Sequence, residues 1–487
     1  MIIFLLSIII FILYIIKFLK NKSCCSNENI PPPGPFSLPF IGNLHQLAID
    51  PHLAIQKLMV KYGNVMTVYF ANIKTVVISD PHYLKEVFVN QSHKTSDRFL
   101  MNTAKLIGNE KDILFSNGQY WKNYRQILSQ SFLKLKDHKG ITEKISLESN
   151  KLADAFDWYA TSGQVVDPSS LFKMFTLNVI MQLLYAHRSS YDLKEQHPII
   201  VALKMVEESL AVGNVLDLFP ILNIFLKKNK VKLMNNLQEV WSYSQESIKE
   251  HREKLSKNPE KIDDLLDLFI SEINSSSNPE FYDDEGLYRV CSDLLLSGTE
   301  TSSSTMSWLI LFLINNPNFQ DKVRTELLEA TGGKKSIQLS EKSKTPFFNA
   351  CIKEALRIRP VGALSLPRIA SEDVTCGPYT IEKGSQILMN VYGLAMDPTV
   401  WEDPETFNPY RWLSSDISQS TYSFIPFGCG ARVCVGSSLA RDEIFLGVGN
   451  VLLNYIFESQ NGKPINDKGH FGIALQTVDY NVKLTKI

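Results

Sequence analysis

A mainly α-helical globule with a minor β-sheet region is the fold class the sequence predicts, and three observations predict it. Apolar residues recur at helical spacing through 146–160, 171–185, 233–255, 283–314 and 439–457. Strand-like runs are few, at 64–70, 73–79 and 386–392. The 487 residues hold 24 glycines and 22 prolines, below the roughly 12% of an average chain, so few breakers interrupt the long periodic segments.

The elements follow in order. Met1 to Ile16 is strongly apolar apart from Ser7 and Tyr14, and Phe18 and Leu19 extend the run past Lys17. About nineteen helical residues rise about 28 Å, close to the hydrocarbon thickness of a bilayer. Lys17, Lys20 and Lys22 follow the run rather than precede it, which opposes a cleaved signal peptide and places the remainder in the cytosol. A single-pass anchor is therefore expected over 1–22, with the Asn-x-Ser sequons at Asn21, Asn90 and Asn274 unmodified. Ile30-Pro31-Pro32-Pro33-Gly34-Pro35 cannot be helix, because each proline fixes φ and pushes its predecessor out of the α region. Residues 23–35 read as a stiff hinge and 36–487 as one domain. The runs 64–70 and 73–79 read as a hairpin. Asp80-Pro81 then starts a helix, with an N-cap ahead of a proline at the first helical position. The polar stretch 271–284 reads as a surface loop.

Composition narrows the function. An apolar share of 44% against 21% charged excludes a disordered chain. Fifty basic and 51 acidic side chains leave a net charge of −1, so no global field draws polyanions and nucleic acid is not an expected partner. Cys24, Cys25, Cys291, Cys351, Cys376, Cys429 and Cys434 are odd in number and irregular in spacing, which argues for a reducing compartment rather than a disulfide framework. The phosphate loop, the Gly-x-Ser-x-Gly elbow, His-Glu-x-x-His and a Gly-x-Gly-x-x-Gly turn after a strand are all absent. Their absence moves nucleotide hydrolases, common serine esterases, zincins and dinucleotide-binding dehydrogenases out of the front rank.

The densest segment is Ser423-Phe-Ile-Pro-Phe-Gly-Cys-Gly-Ala-Arg-Val-Cys-Val-Gly436, directly ahead of an amphipathic helical pattern. Glycines 428, 430 and 436 allow tight turns and the close approach of a large flat ligand. Cys434 precedes a helix N-terminus, whose dipole and free N–H groups favour a thiolate, so it is placed to ligate a metal. A buried inert thiol, or a zinc site shared with Cys429, is the alternative at this point, although no histidine lies within thirty residues.

Phe427, Gly430, Arg432, Cys434 and Gly436 together fit Phe-x-x-Gly-x-Arg-x-Cys-x-Gly, and in this the chain resembles the cytochrome P450 family, whose haem-binding signature this is. The resemblance runs from the anchor to about residue 475. It implies a eukaryotic, membrane-anchored haem-thiolate monooxygenase of cytochrome P450 fold, with haem between a long oxygen-binding helix and the cysteine loop, and 36–487 as the haem-binding catalytic domain. It also implies that Cys434 is the metal ligand, that Phe427 packs on the sulfur side, and that Gly436 belongs to the cofactor-binding loop.

Further motifs carry the same resemblance. Glu354-Ala-Leu-Arg357 places a carboxylate and a guanidinium on one helical face. Followed by Phe407-Asn-Pro-Tyr-Arg-Trp412, it resembles the family's Glu-x-x-Arg helix and the segment whose arginine completes a buried triad. Glu354, Arg357 and Arg411 are thereby implied as structural, while Tyr410 and Trp412 depart from the usual glutamate and phenylalanine. Trp121 and Arg125, at i and i+4, are similar to the Trp-x-x-x-Arg motif; with Arg368 and Arg432 they are implied to bind the haem propionates. Gly298, Glu300, Thr301 and Ser302 match the family's oxygen-helix pattern, with Ser297 in place of alanine, and Glu300 and Thr301 are implied as the catalytic pair that guides protons.

The implied cofactor is haem b, with O2 as cosubstrate. The chain has no flavin or nicotinamide motif, so NADPH electrons are expected through a flavoprotein reductase, with cytochrome b5 as an accessory donor, on the cytosolic face of the endoplasmic reticulum membrane. By analogy of position the substrate pocket is expected around 99–115 and 210–218, at Leu294, Ser297 and Thr301, at 361–366 with Ala363 and Leu364, and at 472–475 with Ile473. Most of these are apolar, so a hydrophobic small molecule is the expected substrate. Two rivals stay open: a haem-thiolate isomerase or dehydratase that needs neither O2 nor reductase, and a non-enzymatic membrane-anchored haem-binding protein.

Overall fold

The computed structural model describes residues 30–487 except 48–49, 138–139, 194–197, 210–214, 220–226, 277–278 and 415–421. The expected anchor and the start of the hinge, 1–29, lie outside the described residues, as does part of the pocket stretch 210–218. Among the described residues no helix is long and apolar enough to cross a membrane. The proline segment packs onto the sheet: Thr67 donates from its N–H to Pro33 O (2.7 Å) and from Oγ1 to Pro32 O (3.0 Å).

The helices of ten residues or more are α1 (Pro51–Tyr62), α2 (Gly118–Asp137), α3 (Gly140–Ser162), α4 (Pro168–Tyr185), α5 (Pro198–Ser209), α6 (Lys227–Lys257), α7 (Leu265–Asn274), α8 (Asp284–Asn315), α9 (Pro317–Thr331), α10 (Pro346–Ile358) and α11 (Ser437–Asn454). Helix α8 runs through the centre, packed by α4, α6, α10 and α11. It is buried on nearly every side, a hydroxyl-rich stretch from Ser297 to Ser307 included, as a helix enclosed by others is. Its start is fixed by Asp283, whose side chain accepts from Gly286 N–H at 2.7 Å, with Asp284 and Glu285 in the first turn, where the helix dipole favours them.

The strands are β1 (Val65–Phe70), β2 (Ile73–Ile78), β3 (Arg368–Ile369), β4 (Val374–Cys376), β5 (Tyr379–Ile381), β6 (Gln386–Met389), β7 (Tyr455–Ser459), β8 (His470–Phe471), β9 (Leu475–Gln476) and β10 (Val482–Lys486). The main sheet has the order β1-β2-β6-β3, and β10-β7, β4-β5 and β8-β9 form two-stranded ribbons. The expected hairpin is present, with Val65 opposite Ile78 and Phe70 opposite Ile73. Strand β2 then pairs in parallel with β6, Thr75 beside Gln386. The Asp80 carboxylate caps the following helix through the N–H groups of His82 and Tyr83.

Helices α3 and α6 each start six residues ahead of the expected 146 and 233, and three other boundaries differ for local or pairing reasons. The helix expected over 439–457 stops at Asn454, because Tyr455, Ile456 and Phe457 pair with β10 and suit a pleated surface. The strand expected over 386–392 stops at Met389, because Asn390 accepts from Gly393 N–H at 2.9 Å and caps a short helix, Val391–Ala395. Helix α7 extends to Asn274, so it takes the first residues of the expected loop 271–284.

Candidate active site

The cysteine loop sits ahead of α11. Gly430 has φ +71°, and a Cβ there would lie 2.1 Å from Phe88 O, so only glycine fits. Gly436 differs: its φ is −84° and a Cβ would meet nothing, so the protein alone does not demand glycine there. The Cys434 N–H donates to Phe427 O at 3.0 Å, and the Arg441 guanidinium lies 4.6 Å from the Phe427 ring centre. Of the five described cysteines only Cys434 is exposed. Surrounding protein nevertheless desolvates it enough to raise the thiol pKa; the Gly436 N–H, Arg125 and Arg441 offset only part of that rise. The depressed thiol expected from the helix N-terminus is therefore not produced by the protein alone, and a thiolate there calls for an electrophilic partner. A zinc site with Cys429 has no third ligand: among the described residues the one cluster of three metal-capable side chains is His251, Asp264 and Asp267.

Beside this loop lies a group of guanidiniums with few compensating charges. Arg432 is buried, donates to Ser96 O (2.9 Å), Ser116 O (2.6 Å) and Ile113 O (3.4 Å), and lies 3.8 Å from the centre of the buried Trp121 ring. Arg368, 1% exposed, donates to Thr95 O and Cys429 O at 3.3 and 3.5 Å, while its Nε has no partner. Arg125 on α2 donates to Val433 O at 2.7 Å. The fourth member, Arg98, was not among the sequence candidates; it donates to Leu114 O and Leu366 O, both at 2.9 Å. No motif marks it, and only its burial between like charges does. Among the described residues none of the four reaches a carboxylate within ion-pair distance. Burial, then mutual repulsion, holds Arg98 well below the usual arginine range and Arg432 down to about 9; burial alone brings Arg368 to about 10. Nearby Asp112 is itself pushed up to about 6 by burial and gives its Oδ1 to the N–H groups of Phe115 and Ser116. Three buried cations and the half-buried Arg125, facing mainly backbone carbonyls, fit a dianionic ligand such as a haem with its two propionates.

Helix α8 supplies one wall of an apolar cavity through Leu296, Ser297, Glu300 and Thr301. Leu114, Phe115, Val361, Leu364 and Ile473 supply others. Leu294 does not line it, since at 100° per residue it lies about 90° round the helix from the centre of that stripe. Ala363 does not either: it is fully buried and its carbonyl accepts from Tyr392 N–H. The Glu300 carboxylate, 5% exposed, pairs with Lys173 Nζ of α4 at 2.6 Å, accepts from Ser304 Oγ at 3.0 Å, and accepts from Gln476 of β9. Thr301 Oγ1 donates to Ser297 O (2.8 Å) and Ser297 Oγ to Asp293 O (2.6 Å). Lys173 and Gln476 come from distant segments and carry no local signal.

The remaining candidates meet away from the cavity. Arg357 forks onto Glu354 at 2.9 and 2.8 Å, and Arg411 Nε donates to the same carboxylate at 3.0 Å. Trp412, a departure from the family pattern, adds an indole N–H at 2.8 Å, and Asn408 N–H adds another bond at 3.0 Å.

Comparison with known proteins agrees with this geometry. The family model described as Cytochrome P450 matches residues 31–484. The chain is 90% identical over 487 residues, all of both chains, to the probable cytochrome P450 516A1 of Dictyostelium discoideum. It is 38% identical over 495 residues, 99% of both, to the probable cytochrome P450 516B1 of the same organism. Two zebra fish cytochrome P450 structures, with abiraterone and with progesterone, superpose with TM-scores of 0.77 and 0.81 at 28% identity, covering 90% of this chain and 100% of theirs. Carrying the family's haem and O2 chemistry, the chain belongs to the cytochrome P450 family and is a P450 monooxygenase.

Proposed function

We propose that this chain inserts one oxygen atom of O2 into a hydrophobic small molecule at a membrane surface, with NADPH electrons passed on by a flavoprotein reductase and cytochrome b5 as an accessory donor. The observation that carries this reading is a single convergence. Glu300 and Thr301 line an apolar cavity, Arg98 of the under-compensated guanidinium group donates to Leu114 O and Leu366 O of two residues that line it, and Arg125 of the same group donates to Val433 O beside the exposed Cys434.

In this reading Cys434 holds the haem iron, while Trp121, Arg98, Arg125, Arg368 and Arg432 hold the propionates. Haem bound through a thiolate supplies the reductive activation of dioxygen. The chain's own task is to manage protons and water. Glu300 holds a proton at its carboxylate oxygens between the cavity and Lys173, whose side chain is 25% exposed and exchanges with solvent. Thr301 Oγ1 gives its hydrogen to Ser297 O and so presents lone pairs to the cavity; it passes a proton on by turning that hydrogen away from the carbonyl as it accepts another. Leu114, Phe115, Val361 and Leu364 keep bulk water out.

Location follows from the sequence of 1–22, read as a single-pass anchor with the catalytic domain, 36–487, on the cytosolic side of the endoplasmic reticulum. Phe36, Leu38, Phe40 and Ile41, just after the anchor, are all exposed, which suits a surface resting on lipid. Glycosylation of Asn90 or Asn274 would contradict this orientation.

The test is coupling. Reconstituted protein is compared with Thr301→Ala and Glu300→Gln for product formed per NADPH consumed, with peroxide measured in parallel. Each variant should lose product per NADPH by about 10²-fold, less where water substitutes, while still consuming oxygen. Unchanged coupling in both would remove this pair as the relay.

A further inference from the structure

One polar group on the cavity wall has no part in the reading above. Gln386 opens β6 and, with Leu388 two residues on, faces the cavity, although the residue is only 5% exposed. Thr75, its fully buried register partner on β2, donates from Oγ1 to Gln386 Oε1 at 2.8 Å, the shorter of two contacts that hydroxyl makes, the other being to Ile73 O at 3.3 Å. With Oε1 held, the Nε2 amide and its two N–H donors are left to the cavity with no hydrogen-bond acceptor among the described residues. The side chains of Phe70, Ile73, Leu388 and Phe471, which line the same cavity, carry no acceptor. The cavity's other polar side chains make hydrogen bonds of their own, Ser365 Oγ by accepting from Met389 N–H at 3.1 Å. Asp217 accepts from Thr103 N–H at 2.8 Å and from its hydroxyl at 2.5 Å, and Ser297 and Thr301 give their hydrogens to backbone carbonyls.

We infer that Gln386 is a specificity-determining residue: its Nε2 receives a neutral oxygen acceptor, a carbonyl or ether, on an otherwise apolar substrate. The inference deepens the proposed function, on which it rests. A donor in an apolar wall stays unpaired until a ligand supplies the acceptor, so the site favours molecules that carry one. An anionic acceptor is disfavoured, because Asp217 and Glu300 line the same cavity. Gln386 stands on the sheet wall and Thr301 on the helix wall, so an acceptor held at Nε2 sets which part of the substrate reaches α8.

The experiment titrates full-length holoprotein with matched pairs, 2-dodecanone against n-dodecane and the ten- and fourteen-carbon equivalents, read by the change in haem absorption. Wild type should bind the ketone about tenfold more tightly than the alkane, the worth of one net hydrogen bond. Gln386→Leu should bring the ratio close to one with alkane affinity retained. Gln386→Glu, of the same shape but with acceptors for donors, should also abolish it. Thr75→Val, which frees the amide to turn, should lower it severalfold. A ratio near one in wild type at every chain length, or an undiminished ratio in both Gln386 variants, overturns the inference. A red-shifted Soret band of the reduced carbon monoxide complex in wild type places such a failure with Gln386, and its absence places the failure with the proposed function.

Discussion

Two groups of buried arginines sit in this molecule, and they are held in opposite ways. Around Glu354 a single carboxylate takes a fork from Arg357, a bond from Arg411, the Trp412 indole N–H and the Asn408 N–H. That carboxylate is fully enclosed and its bonding is complete within the protein. Around Arg98, Arg125, Arg368 and Arg432 the partners are mainly backbone carbonyls; burial pushes all four guanidinium pKa values down, and repulsion from neighbouring arginines adds to it at Arg98 and Arg432. The first group is closed and belongs to the scaffold. The second is open and anticipates an anion, which is how a binding site differs from a structural ion cluster built of the same residue type.

The largest effect should come from breaking the closed group. Glu354→Ala leaves two guanidiniums without their carboxylate, at a cost of about 3–5 kcal/mol; chemical denaturation should find little or no folded protein at 37 °C. Breaking the open group should separate folding from ligand retention. Arg432→Leu removes one of four mutually repelling charges, so apoprotein stability should hold or rise, whereas haem affinity should fall by about 10- to 100-fold, the worth of a charged hydrogen bond. If both quantities fell together, Arg432 would belong with the scaffold.

Two smaller tests sharpen the contrast. Trp412→Phe removes one donor from a charged acceptor but leaves both arginines, and should cost about 1.5–3 kcal/mol in denaturant unfolding. Glu443 is a buried carboxyl with no cation within ion-pair distance among the described residues: desolvation pushes it up to about 8, with a bond from Ser302 opposing, and its Oε1 has no partner. Its folded pKa lies above the unfolded one, so the folded state binds the extra proton and stability falls as pH rises from about 4.5 to 8. Glu443→Gln should flatten stability across that window and leave it nearly unchanged below pH 4.5, where both forms are neutral.

How much of this was legible beforehand divides along the same line. Helices α3, α4, α6, α8 and α11, the hairpin and Asp80 as a cap were readable because they rest on local periodicity and turn chemistry. The overrun of α11 into β7 was not, because Tyr455–Phe457 became strand only by pairing with β10, far along the chain. Motif residues of the site met where expected: Glu354 with Arg357 and Arg411, Trp121 with Arg432. What escaped were partners without a motif. Arg98 is recognisable only from its like-charged neighbours, Lys173 and Gln476 only from their grip on Glu300, and Trp412 only from its bond to Glu354. Leu294 and Ala363 were misplaced because position along the chain does not say which way a side chain faces.

The central claim is that the open cluster is completed by a haem whose iron is held by Cys434. The most direct measurement is the absorption of the reduced carbon monoxide complex in full-length wild type, Cys434→Ala and Cys429→Ala. The account predicts a red-shifted Soret band in wild type and in Cys429→Ala, whose buried thiol is pushed up to about 11, and its loss in Cys434→Ala. A red-shifted band that survives in Cys434→Ala would contradict it.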